Sequence, residues 1–325
     1  MKILIMGGTQ FVSKSIAMQM IDNGHEVDIF TRGVQKVDYS GINRHIKGDR
    51  KSLECLQMIG DKNYDVIIDV SAYTKEDVQF LLKHVDIEKL KKYIFISSGA
   101  VYCESQEVIH EEQCRGENKN WGTYGLNKKK AEDFLFHMSE ENGIPVTIFR
   151  PTYIYGKGNN LYREKYFFDR IEDGMAIPIP IKIDDNGRKN EVLTQFIYID
   201  DMVKIIESCI GNEKSNGQAY NITHPDRVSW RKLIQTTSDV INKEAHIIEA
   251  NNVALDIQDR EFFPFRNVTY MLSIEKLIRD GLYVPKIELT DGLKLALEDY
   301  NRNFHACLDK RMNKIEYVIE KASTS

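Results

Sequence analysis

The chain has 325 residues, 42% of them hydrophobic, with 44 basic against 49 acidic side chains. That length supports one large α/β unit or a core domain with a smaller partner, and a formal net charge of -5 provides no overall positive field to draw the chain to nucleic acid or anionic lipid. Five cysteines, an odd number with no C-x-x-C pair among Cys55, Cys103, Cys114, Cys209 and Cys307, argue against a disulfide framework and against a zinc site. The opening apolar stretch is too short for a signal peptide and no apolar run approaches membrane-spanning length, so a cytoplasmic protein without a membrane partner is expected.

Lys2 to Met6 is a short apolar run that ends in a Gly7-Gly8-Thr9 turn, and Phe11 to Ile21 then carries helical spacing until Asn23-Gly24 stops it. His25 to Thr31 reads as a second strand. Apolar runs recur at Tyr64 to Val70, Tyr93 to Ser97 and Val146 to Phe149, with helical segments at Lys75 to His84 and Tyr124 to Asn142 between them. Strands nearly continuous in Val, Ile and Phe that alternate with helices imply a parallel sheet covered on both faces, the doubly wound α/β or Rossmann class. After Pro151 the rhythm changes: the stretch to Asn190 is rich in Tyr, Phe, Pro and Gly and holds one helical segment, Tyr166 to Gly174. Gln195 to Ile199 and Ala219 to Ile222 read as returning strands, with Met202 to Ile210 as a helix. The expected organisation is a Rossmann domain of residues 1–160 and 191–225, and a smaller, mostly helical C-terminal substrate domain of 161–190 and 226–303. A charged tail, 304–325, carries Ile315, Val318 and Ile319 at helical spacing.

The first motif with chemical content is the glycine turn. A Rossmann fingerprint sets glycines where the backbone turns tightly, approaches a pyrophosphate and lets helix pack on strand. The pattern G-x-x-G-x-x-G falls here on Gly7, Gln10 and Ser13, so only the first of its three glycines survives. Gly8 still allows backbone NH groups to approach phosphate at the helix N-terminus, Ser13 is small enough for packing, and Gln10 must turn its side chain aside. Taken alone, the motif is equally an ordinary strand-to-helix turn.

A second constellation is Tyr124-Gly-Leu-Asn-Lys128 at the start of a helix, preceded by Ser97-Ser98 at the end of a strand. Positions four apart lie on one helical face, so Tyr124 and Lys128 can point into the same cleft. A tyrosine with a pKa near 10 is a poor base at neutral pH, and lowering it by about three units takes roughly 4 kcal/mol. A lysine ammonium about 4 Å away supplies roughly that much at an effective dielectric near 20. Ser98 would then hydrogen-bond a substrate hydroxyl while Tyr124 takes its proton and hydride leaves for a nicotinamide. The bland alternative is a surface Tyr and Lys on an amphipathic helix.

The ordered series Gly7-Gly8-Thr9, Gly48-Asp49, Ser97 to Tyr102, Tyr124 to Lys128, Arg150-Pro151-Thr152-Tyr153-Ile154-Tyr155-Gly156 and Phe196-Ile197-Tyr198-Ile199-Asp200-Asp201 resembles the NAD-dependent epimerase/dehydratase family of extended short-chain dehydrogenases/reductases. The resemblance covers residues 1 to 301. Within the family the chain is similar to an atypical branch that includes the chloroplast stem-loop-binding proteins, through the glycine turn continuing into Phe11, the Phe30-Thr31-Arg32-Gly33 stretch, the run ending in Asp69, and Phe263-Pro264-Phe265-Arg266. Some members of that branch lack the Tyr and Lys pair and act on RNA; this sequence keeps both residues.

The resemblance implies an NAD(P)-dependent sugar-nucleotide epimerase or reductase with Ser98, Tyr124 and Lys128 as its catalytic set. It implies that Gly7, Gly8, Thr9, Gln10 and Phe11 line the pyrophosphate turn, that Asp49 meets the adenine, and that Ser71 joins the cofactor-binding residues. Lys128 would also hold the nicotinamide ribose, and Arg150-Pro151 would close the nicotinamide side. For Asp49 a loop role, and for Arg150 a strand-end surface charge, stay open. Asp200-Asp201 reads as a structural helix cap. In the family's 4,6-dehydratases an Asp-Glu pair follows the catalytic Ser or Thr, whereas Gly99 and Ala100 stand here, so chemistry without loss of water is expected. Arg32 stands where an acidic residue usually meets the adenine ribose, which puts NADP slightly ahead of NAD. No histidines are paired at metal spacing, and no metal is expected. An RNA-binding protein or a cofactor-sensing regulator on the same scaffold is the competing reading; the acidic balance and the intact Ser98, Tyr124 and Lys128 favour the enzyme. A nucleic-acid partner is disfavoured and a homodimer left open.

Overall fold

Ile3, Leu4, Ile5 and Met6 are completely buried along the strand Lys2–Met6 (β1). A strand apolar at successive positions needs cover on both faces, and β1 receives it inside a sheet. The computed structural model describes residues 1–60, 62–183, 186–303 and 309–323. In it, β1 joins Glu26–Thr31 (β2), Arg44–Lys47 (β3), Val66–Asp69 (β4), Lys92–Ile96 (β5), Val146–Pro151 (β6) and Gln218–Ile222 in one parallel sheet of seven strands. Its order is Gln218–Ile222, β6, β5, β4, β1, β2, β3. Register is fixed by pairs such as Ile3 with both Val27 and Val66, and Ile94 with both Ile68 and Thr147.

Helices Phe11–Asp22 (α1), Leu53–Gly60 (α2), Lys75–Leu82 (α3) and Gly122–Asn142 (α4) follow β1, β3, β4 and β5. Leu4, Ile67, Phe95 and Ile148 from the sheet join Val78, Leu81, Ala131 and Leu135 from α3 and α4 in one buried cluster. Each such aliphatic or aromatic side chain contributes about 1.5–3 kcal/mol by leaving water. The start of α3 is held by a reciprocal cap: Thr74 Oγ1 accepts from Asp77 N at 3.3 Å, and Asp77 Oδ2 accepts from Thr74 N at 3.1 Å. β3 and α2 are absent from the sequence reading. Arg44-His45-Ile46-Lys47 has one apolar residue because it is the edge strand, where only Ile46 is buried.

The chain divides into two compact units, the first comprising Met1–Tyr153, Ile199–Pro225 and Leu272–Lys286. Its late segment is bound by polar contacts: Asp201 accepts from Tyr283 Oη at 3.0 Å and from Lys286 N at 2.8 Å, and Asn221 Nδ2 donates to Ile109 O and Ser273 O, both at 3.1 Å. Asp200 and Asp201 lie in the first turn of the helix Ile199–Ser208, and Asp201 has a structural role as an anchor for the 283–286 segment.

The second unit comprises Ile154–Tyr198, Asp226–Met271 and Ile287–Ser325. It holds the helices Glu164–Glu172, Trp230–Ile241 and Leu289–Arg302 and a parallel strand pair, Ile177–Pro180 with Ile247–Ala250. Phe263-Pro264-Phe265 serves its core: the Trp230 and Phe265 rings stack at 5.3 Å, Phe167 lies parallel to Phe265 at 6.3 Å, and Phe263 stands edge-on to all three. Part of the expected tail, residues 304–308 with Cys307 and residues 324–325, lies outside the described residues; between them Ile315–Ser323 is a helix that buries Val318.

Candidate active site

Two backbone approaches assemble the site within the first unit. Ser98 lies two residues past β5 and starts a short turn, Gly99–Val101, in which its Oγ accepts from Ala100 N at 3.2 Å. Gly125 lets the first turn of α4 lie directly on that turn, because a Cβ there would stand 2.2 Å from Ala100 O. Tyr124, beside Gly125, is 39% exposed, whereas Lys128 one turn further on is 3% exposed. Lys128 Nζ donates to Ala72 O at 2.7 Å and Ile96 O at 2.8 Å, tying α4 to the ends of β4 and β5. The chain thus brings Ser98, Tyr124 and Lys128 to one place at the carboxyl edge of the sheet. A fourth side chain stands with them: the exposed Tyr73 ring is 6.2 Å from the Tyr124 ring and 5.3 Å from Lys128 Nζ.

Beneath this group lies a buried ion pair that the sequence reading missed. Arg50 Nη1 and Nη2 donate to the two carboxylate oxygens of Asp69 at 2.9 and 2.8 Å, and Arg50 Nη1 also reaches Ser71 Oγ at 2.9 Å. Asp69 further accepts from Tyr93 Oη at 2.9 Å and from Ala72 N at 3.0 Å. Burial alone would raise the Asp69 carboxyl, but the Arg50 charge and these hydrogen bonds outweigh it and hold it below its ordinary value. A charge ending the apolar run Val66-Ile67-Ile68-Asp69 was the available signal, since a carboxylate in such a place needs a partner. Burial pushes the Lys128 ammonium down to about 8, against the opposing pull of Asp69 and Glu132.

At the glycine turn, Gly7 and Gly8 have φ of +125° and +122°, and a Cβ on Gly8 would stand 2.6 Å from Ile29. Gln10 precedes α1 in extended conformation with its side chain exposed and no side-chain cap on the helix, and Phe11 is held at φ +31°, a strained value for a residue with a Cβ. Thr9 is half-buried beside them. Uncapped NH groups at the start of α1, approached through two glycines, fit a pyrophosphate. Tyr39 adds an unforeseen contact, its Oη donating to Gly8 O.

The remaining expected cofactor residues are placed differently from one another. Arg32 is exposed just past β2, whose last residue Thr31 pairs with Lys47. Asp49 is exposed and accepts from Lys51 N at 2.9 Å in the turn before α2. Ser71 is held by Arg50, and Pro151 is buried at the end of β6. Arg150 is 1% exposed, so it is neither a surface charge nor turned to an open face. Its guanidinium is taken up by Glu132 at 2.7 Å, Tyr102 Oη at 2.7 Å and Glu111 O at 3.0 Å.

A seven-stranded parallel sheet with a glycine turn after its inner strand β1, flanked by helices, defines a Rossmann-like α/β protein. The chain belongs to the NAD dependent epimerase/dehydratase family, whose model matches residues 3–223. It is 29% identical over 321 residues to the chloroplast stem-loop binding protein of 41 kDa b of Arabidopsis thaliana, an alignment that covers 93% of this chain and 79% of that protein. It is 22% identical over 339 residues to the dTDP-D-glucose 4,6-dehydratase of Bos taurus, covering 94% and 90%. The fold matches that of UDP-glucuronic acid 4-epimerase from Bacillus cereus in complex with UDP-glucuronic acid and NAD, with a TM-score of 0.74, 18% identity, and 94% of this chain and 100% of that one covered. Among the described residues no helix is long and apolar enough to cross a membrane.

Proposed function

We propose that the chain is an NAD(P)-dependent enzyme that epimerises or reduces a nucleotide sugar, with Ser98, Tyr124 and Lys128 as its working set. The observation that carries this reading is the burial of Lys128 against two backbone carbonyls one helical turn from the exposed Tyr124. A solvated helix face gives no reason to take an ammonium out of water. The ammonium lies one helical turn from Tyr124, where a positive charge facing the phenol would favour the phenolate.

Gly7 to Phe11 would hold the pyrophosphate, Asp49 and Ser71 the adenine side, and Lys128 the nicotinamide ribose. The bound nicotinamide supplies the hydride acceptor and donor. Ser98 Oγ hydrogen-bonds the substrate hydroxyl, and Tyr124 Oη takes its proton. Arg150 acts from behind: its pair with Glu132 fixes β6 to α4, and only Pro151 is left for the nicotinamide side. Gly99 and Ala100 offer no carboxyl for eliminating water, which supports epimerisation or reduction without loss of water over a dehydrated product. The Bacillus cereus epimerase structure holds NAD. Arg32 supports acceptance of NADP as well, since a guanidinium suits a 2′-phosphate.

The likeness to a stem-loop binding protein over 93% of the chain favours a second reading, binding of a nucleic-acid stem-loop, which the net charge of -5 opposes.

Turnover on a panel of nucleotide sugars, followed by reduced-nicotinamide absorbance and product mass, tests the first reading. Tyr124→Phe is expected to lower turnover by about 10²–10⁴-fold while dinucleotide affinity stays within a few-fold. Full activity in that variant would remove Tyr124 as the base, and a product lighter by one water would replace epimerisation with dehydration.

A further inference from the structure

The segment between the Ser98 turn and α4 folds back on itself as a small antiparallel ladder. Tyr102 pairs with Arg115, Cys103 N donates to Cys114 O at 3.0 Å, and Gly116 N donates to Val101 O at 2.9 Å. This makes Cys103 and Cys114 direct cross-strand neighbours, and their sulfurs lie 2.7 Å apart. Nothing in the spacing of the two residues marks them as a pair. The turn of the chain between them does.

Both ends of the ladder are anchored, so the contact is built in rather than chance. Tyr102 Oη donates to Asn221 Oδ1 at 2.7 Å, and Arg115 holds Glu132 and Asp133 on α4 at 2.8 and 2.9 Å. Cys114 is exposed and Cys103 half-buried, while Cys209 is fully buried. Solvent-borne reagents therefore reach this pair.

We propose that Cys103 and Cys114 form a redox-active dithiol that reacts with low-molecular-weight disulfides and closes into an internal disulfide, clipping the segment that joins Ser98 to α4. The exposed Cys114 thiolate attacks one sulfur of the reagent, forming a mixed disulfide and releasing one thiolate. Cys103, losing its proton to solvent, then attacks the Cys114 sulfur and displaces the second thiolate. Two cysteine thiols are oxidised and one disulfide is reduced to two thiols, with no other electron carrier. The exposure of Cys114 makes it the sulfur that a reagent meets first, and the Cys114 sulfur beside it raises the Cys103 thiol in the same sense.

The test is thiol mapping of the full chain equilibrated in oxidised and reduced glutathione, quenched by alkylation and digested without reductant. The expected result is an intact mass lower by two hydrogens, a dominant peptide linking Cys103 to Cys114, and reversal by dithiothreitol. In Cys103→Ser, Cys114 should retain glutathione as a stable adduct because the resolving sulfur is gone. Both cysteines free, each carrying its own glutathione in the wild type, or either one linked mainly to Cys55 or to a second chain would overturn the proposal.

Discussion

Arg150 and Lys128 are both cations withdrawn from water, and their partners set them apart. Arg150 faces the Glu132 carboxylate, and that charge more than offsets the effect of burial, leaving the guanidinium firmly protonated. Lys128 has two carbonyls, which cannot match a full countercharge, and its pKa falls to about 8. An unfolded lysine titrates near 10.4, so between about pH 8 and 10 the unfolded chain binds more protons and the Lys128 contribution to stability rises with pH. The thermal midpoint of the wild type should accordingly gain on that of Lys128→Met as the pH goes from about 8 to 10; a constant difference would show that the ammonium is solvated. The Tyr124 and Lys128 spacing was legible because one helix carries both. The fate of Arg150 was not, since Glu132 lies 18 positions earlier on another element and no motif links them. At Arg32, titration of both cofactors decides the phosphate reading: Arg32→Ala should weaken NADP by roughly tenfold or more, about the 1.5–3 kcal/mol of a charged hydrogen bond, and leave NAD nearly unchanged. Equal affinities indifferent to the mutation would take Arg32 out of the site.

Among elements, α4 is the one on which the site depends, and Gly125 sets its position. An added Cβ would meet a backbone carbonyl at 2.2 Å, which no rotamer change can relieve, so the helix itself must move. Gly125→Ala should lower stability by about 1–3 kcal/mol in denaturant titration and reduce turnover, while the glycine turn, which does not touch Gly125's neighbours Ala100 and Trp121, keeps most of its hold on the dinucleotide. An unchanged midpoint would mean the turn Gly99–Val101 yields instead. The buried strands β1, β4, β5 and β6 could be read from their apolar runs. β3 could not, because an edge strand with one buried residue has no such run, and the ladder joining Cys103 to Cys114 is only a bridge, too short to leave a period.

For the whole molecule, the question of enzyme against stem-loop binder turns on charge and on what stabilises the native state. A ligand bound only by the folded chain stabilises it by about 2.7 kcal/mol at a hundredfold excess over its dissociation constant. NAD or NADP should therefore raise the melting temperature by a few degrees, whereas a generic RNA stem-loop at physiological salt should not. Tight, salt-sensitive stem-loop binding without any dinucleotide shift would reverse the assignment. The first unit has a further property of the whole chain, set by the contacts that Asp201 and Asn221 make with the 272–286 segment. The sheet is complete in strands by Ile222, yet the carbonyl and hydroxyl partners of these buried groups are made some fifty to sixty residues later. During synthesis the nascent sheet must wait, its polar seams open, while nearly all of the second unit's middle segment leaves the ribosome. Order of translation and order of completion therefore differ, and the unit that begins the chain is closed by one of the last pieces to emerge.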